Sequence, residues 1–148
     1  QEVHRRAVDL DLDNGRAIDD PAVRQRLAEF YVKAQGLRFT RYRIMTALAR
    51  GETPGPEASI GKLVAASMIQ DAAAYGLDLM DMAGVATGSD MPLDGIFELS
   101  FLDSPAFRIA GGTDEILRNT IGERVLGLPQ EVRVDKGVPF KSIPTEGR

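Results

Sequence analysis

Between Pro21 and Leu48 the apolar residues Val23, Leu27, Phe30, Tyr31, Ala34, Leu37, Ile44, Met45 and Leu48 recur at helical spacing. That is one amphipathic helix of about eight turns. It has a clear start and stop. Asp19-Asp20-Pro21 offers an N-cap carboxylate at Asp20 and a proline at the first helical position. Arg50-Gly51 and Pro54-Gly55-Pro56 end it. A helix this long cannot bury its stripe alone, so the chain is constrained to supply helices against it.

The remaining sequence does so. A second helix is predicted from about Pro56 to Met82, carrying Ile60, Leu63, Val64, Ser67, Met68, Ala72, Tyr75, Leu79 and Met82. Its alanines, Ala65, Ala66, Ala72, Ala73 and Ala74, are strong helix formers and allow close helix approach. Ala83-Gly84 through Gly88 ends it. A shorter helix is predicted from Leu93 to Phe101, and a last one from Thr113 to about Leu126. No alternating run or hairpin dipeptide suggests a sheet. The fold class is all-α, an up-down four-helix bundle with two long antiparallel helices. Residues 1–18 read as a linker or the end of a preceding helix, 19–129 as the bundle and 130–148 as an extended tail. Tyr31, Tyr42 and Tyr75 are expected at core-facing or boundary positions. Met80, Met82 and Met91 are expected to fill gaps in the core.

Composition removes several function classes. The 148 residues suit one domain, and 43% hydrophobic with 27% charged is ordinary for a globular protein. A net charge of −4 leaves no basic footprint for nucleic acid. Arg38, Arg41 and Arg43 read as a solvated helix face. Without cysteine, disulfides, thiol catalysis and Cys/His zinc sites are excluded. The single histidine, His4, lies in a basic, exposed-looking start and is no candidate for a triad. Asp9, Asp11 and Asp13 alternate as in a calcium loop. The EF-hand places glycine sixth and glutamate twelfth, however, whereas here Gly15 is seventh and Asp20 twelfth. No apolar run approaches the ~18 residues of a membrane span, and a cytoplasmic location is expected. Beginning at Gln1, the chain reads as a piece of a longer polypeptide.

The segment richest in chemistry is Ile109-Ala110-Gly111-Gly112-Thr113-Asp114-Glu115-Ile116-Leu117-Arg118, continuing to Gly127-Leu128-Pro129. The glycine pair permits positive φ and close backbone approach. Thr113 is a natural N-cap, which leaves amide N–H groups at a helix N-terminus. Asp114 and Glu115 put two negative charges in that first turn, which complements the helix dipole and weakens an anion site. From the residues alone, a capped helix behind a glycine loop and a ligand-facing turn both remain open.

This ordered segment resembles the late signature of the acyl-CoA dehydrogenases. The similarity continues through Pro21-Ala22-Val23-Arg24-Gln25-Arg26-Leu27-Ala28-Glu29 and Pro54-Gly55-Pro56-Glu57-Ala58-Ser59-Ile60-Gly61-Lys62-Leu63. It covers roughly residues 16–140 and corresponds to that family's C-terminal helical domain. The resemblance implies a bundle that forms an oligomer core, packs against FAD and helps wall an acyl pocket. It implies α,β-dehydrogenation of an acyl-CoA thioester, in which a carboxylate removes the α-proton and FAD takes the β-hydride. Thr113 and Glu115 match positions that touch FAD, with Asp114 between them, so these three are the cofactor-binding candidates. The partners implied are the acyl-CoA, like or related subunits in a dimer or tetramer, and an electron acceptor. The actinobacterial style of the motif points to bulky acyl groups, steroid side-chain CoA esters among them.

The sequence departs from the family pattern in three places. Gly111 stands where familiar members carry the catalytic glutamate, so no catalytic residue is assigned. Asp78-Leu79-Met80-Asp81-Met82 replaces a Gln-x-x-Gly-Gly element that lies against a neighbouring subunit's FAD. The family's arginine-containing segment reaching across the dimer is not recognisable in Asp9 to Arg16. Glu57 and Glu98 are alternative bases to weigh against solvated or capping roles. The alternative function is therefore a non-catalytic assembly subunit of a hetero-oligomeric acyl-CoA dehydrogenase with a degenerate flavin site.

Overall fold

In the computed structural model, residues 2–12, 15–53, 55–86, 88, 92–130, 135 and 137–143 are described. Asp13, Asn14, Pro54, Met91 and most of the tail fall outside them. Five α-helices carry the fold: α1 (Glu2–Asp9), α2 (Pro21–Ala49), α3 (Ala58–Met80), α4 (Ile96–Ile109) and α5 (Asp114–Arg124). Short 3-10 turns cover Ala17–Asp19, Asp81–Val85, Pro92–Gly95 and Phe140–Ser142. A two-residue antiparallel pair, Asp11–Leu12 with Gly15–Arg16, is the only strand pairing among the described residues. The all-α expectation holds, with α2 and α3 as the two long helices joined by a short loop.

The start of α2 follows its sequence signals. Asp20 Oδ1 accepts from the amides of Ala22 at 2.7 Å and Val23 at 3.2 Å, with Pro21 at the first helical position. The helix turns a stripe through Val23, Leu27 and Phe30 toward α3 and α1. Much of the rest of α2 stays uncovered. Tyr31, Val32, Phe39, Tyr42, Met45 and Leu48 are all exposed. The expectation that Tyr31 and Tyr42 lie at core-facing or boundary positions is corrected here: both fall alongside α3 but turn away from it, toward solvent. Only Tyr75 of the three tyrosines packs inward, where its ring meets Phe30 at 6.0 Å with the Arg26 guanidinium over both.

Helix α3 is the hub, in contact with α1, α2, α4 and α5. Its tightest seam is with α4. A methyl group at Gly76 would sit 2.3 Å from Phe97 Cδ1, so the glycine opens the slot that buries Phe97. Phe97 joins Met80 and Val3 in one core cluster, and Ala7, Ala17 and Val23 form a second beside it. Helix α1 thus packs its Val3 and Ala7 against the bundle. Of the methionines, Met80 is buried as expected, whereas Met82 is exposed on the 3-10 turn beyond the helix.

The third bundle helix differs from its sequence outline. Leu93 and Asp94 have φ of +54° and cannot begin it, and α4 instead runs from Ile96 to Ile109, through Pro105. Pro105 lacks the N–H that would bond the carbonyl four residues back, that of Phe101. Ser104, fully buried, donates its hydroxyl to that carbonyl at 3.0 Å. The substituted bond lets the helix continue past the proline.

Candidate functional site

The glycine turn lies between α4 and α5. Ala110 N–H closes α4 onto the Ala106 carbonyl at 2.8 Å. Gly111 and Gly112 then take φ of +68° and +107°. L-residues rarely adopt this backbone, so the turn is committed to glycine in geometry as well as sequence. A side chain at Gly111 would point into open space but would strain the backbone. Thr113 caps α5, its Oγ1 accepting from the Ile116 amide at 3.4 Å. The helix ends at Arg124, and Gly127 (φ +69°) then turns the chain.

The three cofactor-binding candidates fall together on this N-terminus, with different exposures. Thr113 is half-buried and Glu115 is exposed. The Glu115 carboxyl is held below its ordinary value, first by its own backbone N–H and next by the Thr113 hydroxyl. Glu115, also paired with Arg118 at 3.7 Å, thus adds a negative charge at the helix N-terminus that opposes an anion there. Asp114 turns inward and is 3% exposed. Its Oδ2 accepts from Arg108 Nε at 2.7 Å and also pairs with Arg108 Nη2. Arg108 Nη1 reaches Gln70 Oε1 on α3 at 3.0 Å, and Asp114 Oδ1 is buried without a hydrogen-bond partner among the described residues. Lys62 Nζ, also from α3, donates to the Gly112 carbonyl. Only Thr113 and Glu115 present side chains outward, and Asp114 faces the turn's supports.

Lys62, Gln70 and Arg108 are neighbours of the turn that reading the sequence missed. Lys62 and Gln70 lie 50 and 43 residues from the turn's second glycine and its cap, so no short-range spacing links them to it. The sole signal was Arg108 itself, a charge on an otherwise apolar helix end.

The altered Asp78 to Met82 stretch sits elsewhere. It closes α3 at the end opposite Lys62, about 27 Å away along the axis. Asp81 has φ +47° and ψ −126°, a backbone suited to glycine. Asp78, Asp81 and Met82 are all exposed. Neither alternative base lies at the turn. Glu98 is in the first turn of α4, about 18 Å along the helix from Ala110, beside a depression lined by Leu77, Met80 and Gly95. Glu57 precedes α3, its carboxylate folded over Gly55. Among the described residues no acidic or histidine cluster could hold a metal ion.

The family model for the acyl-CoA dehydrogenase C-terminal domain matches residues 1–126. The acyl-CoA dehydrogenase IpdE1 of Mycolicibacterium smegmatis is 35% identical over 130 residues, 88% of this chain and 31% of that protein. Among solved structures, the ChsE4-ChsE5 complex from Mycobacterium tuberculosis superposes with a TM-score of 0.74 at 24% identity, covering 88% of this chain and 34% of the other. A structure described as the Tcur3481-Tcur3483 steroid ACAD gives 0.73 at 23% identity, covering 88% and 33%. The chain thus spans about a third of the length of the relatives it matches. With the glycine turn, the capped α5 and the two long helices in place, the chain belongs to the acyl-CoA dehydrogenase family and matches its C-terminal domain.

Proposed function

We propose that this chain is the C-terminal domain of a flavoprotein that dehydrogenates acyl-CoA thioesters. The observation that carries the reading is the Gly111-Gly112 turn feeding the Thr113-capped α5, which leaves Thr113 and Glu115 at an open backbone edge. FAD, when bound, accepts the hydride from the acyl β-carbon. Thr113 and Glu115 would meet the flavin by hydrogen bonding, and Asp114 would contribute through its backbone and by anchoring the turn. Because Glu115 already places a negative charge in the first turn of α5, this edge suits the polar, uncharged part of such a cofactor better than its phosphates. Among the described residues no carboxylate is assigned the α-proton: Gly111 has no side chain, and Glu98 and Glu57 lie away from the turn. The base is assigned to another part of the full-length polypeptide or to its partner. A bulky acyl group is the proposed substrate class, in line with a similar structure described as a steroid ACAD. No helix among the described residues is long and apolar enough to cross a membrane, which is consistent with a cytoplasmic enzyme passing electrons to an acceptor protein.

A second reading is favoured by one observation. Asp81 and Met82 put charge and bulk at a glycine-shaped corner, where a neighbouring subunit's flavin would need clearance. The parent would then be an assembly subunit, with the flavin site at that corner degenerate and the exposed face of α2 turned to related subunits. Purifying the full-length protein with its co-expressed partner and measuring FAD per subunit separates the two. A yellow complex that reduces an electron acceptor with acyl-CoA supports the enzyme. One FAD per subunit sinks the degenerate site. A colourless protein, with all flavin on the partner, sinks the leading reading.

A further inference from the structure

Two adjacent glycines at positive φ make the least self-restrained stretch of a chain. Yet the turn carrying Thr113 and Glu115 is tied on both sides of the cap. Upstream, Lys62 Nζ holds the Gly112 carbonyl. Downstream, Arg108 holds Asp114, and Arg108 is itself oriented by Gln70. Lys62 and Gln70 are two helical turns apart on α3, about 12 Å, so the bracket has two separate footings on the hub helix. Lys62 is half-buried, and among the described residues it forms no ion pair. Removing an ammonium from water for one neutral carbonyl is a poor route to stability. What the contact does is fix the peptide plane of Gly112, and with it the direction of the next amide.

We propose that Lys62 and Arg108 are positioning residues that hold the glycine turn in one conformation, so that Thr113 and Glu115 meet the flavin pre-oriented. This rests on the turn being flavin-facing. Arg108 also neutralises a buried carboxylate, so its removal would confound folding with positioning. Lys62 carries the test.

The full-length protein, assembled with its partner subunit, is compared with Lys62→Met and Lys62→Arg. Two readouts are taken: amide hydrogen exchange, and FAD affinity from the flavin absorbance and fluorescence of the reconstituted apoprotein. Lys62→Met is expected to speed exchange in residues 111–116 by about tenfold, the loss of one charge-assisted hydrogen bond. FAD affinity should fall by a similar factor, while exchange in α2 stays unchanged. Lys62→Arg should restore both. Unchanged exchange at the turn, or faster exchange throughout the bundle, overturns the positioning role. So does a loosened turn with undiminished FAD affinity, and that result leaves the flavin reading standing. A wild-type assembly with no flavin at this subunit overturns both.

Discussion

Asp81 holds a conformation that its side chain opposes, at φ +47° and ψ −126°. Such a residue stores about 1–3 kcal/mol, part of which glycine would return as unfolded-state entropy. Asp81→Gly is expected to stabilise the domain by about 1 kcal/mol in chemical denaturation, once that entropy is deducted. Nearby, Gly84 has no such freedom, since a Cβ there would meet the Leu77 carbonyl at 2.6 Å. In the first turn of α5, Glu115 ties stability to pH. Its carboxyl is held below its ordinary value by its own amide and the Thr113 hydroxyl. A depressed carboxyl contributes stability that is present above its unfolded pKa and lost as pH falls through the folded one. Glu115→Gln should therefore flatten the decline in Tm below about pH 5, leaving Tm at neutral pH less affected by further acidification. An acid limb as steep as wild type would refute the capping role. Thr113 as the cap of α5 was readable from local rules alone, whereas the missing carboxylate at Gly111 was readable only through the family resemblance. The sequence could not place Asp114 inside the protein, because its partner Arg108 is chosen by how α4 meets α5.

Among the elements, α4 departs most from its sequence pattern. Pro105 argues for a helix that stops early, and the helix continues because Ser104 supplies the donor the proline lacks. Ser104→Ala is expected to cost about 1–2 kcal/mol by leaving the Phe101 carbonyl without a donor. Calorimetry showing no loss would mean that carbonyl has another partner. The α3–α4 seam makes a second demand. Gly76 looks like a flaw in an alanine-rich helix, where alanine would be favoured by about 1 kcal/mol. Phe97 reverses that preference, with its ring 2.3 Å from where a Cβ would stand. Gly76→Ala should destabilise by about 1–3 kcal/mol, and Gly76→Ala combined with Phe97→Leu should recover much of it. Boundaries governed by caps, such as Asp20-Pro21 and Thr113, were readable because capping is local. The start of α4 was not, since Leu93 and Asp94 take positive φ ahead of Gly95, a backbone that such residues rarely adopt.

At the scale of the whole molecule, the bundle leaves one long helix half-dressed. Phe39 is 60% exposed and Tyr31 65%, on a face that no described element covers. Phe39→Asp, together with Tyr31→Asp, should reduce the assembly of the full-length protein by at least one subunit step in light scattering, with helix content unchanged. An unaltered mass would show that this face is not an interface. The sequence by itself determined the two long helices, the caps at Asp20 and Thr113 and the glycine turn, since each depends on residues within a few positions of one another, and the long ordered match pointed to the family. Composition by itself also removed disulfides, thiol catalysis and Cys/His zinc sites and left no basic footprint for nucleic acid. The tertiary structure alone decided which face of α2 is covered, that Gly76 makes room for Phe97, and that Lys62, Gln70 and Arg108 converge on the glycine turn. Those are contacts between side chains far apart in sequence, and periodicity tells which residues share a helix face but not which partner that face will meet.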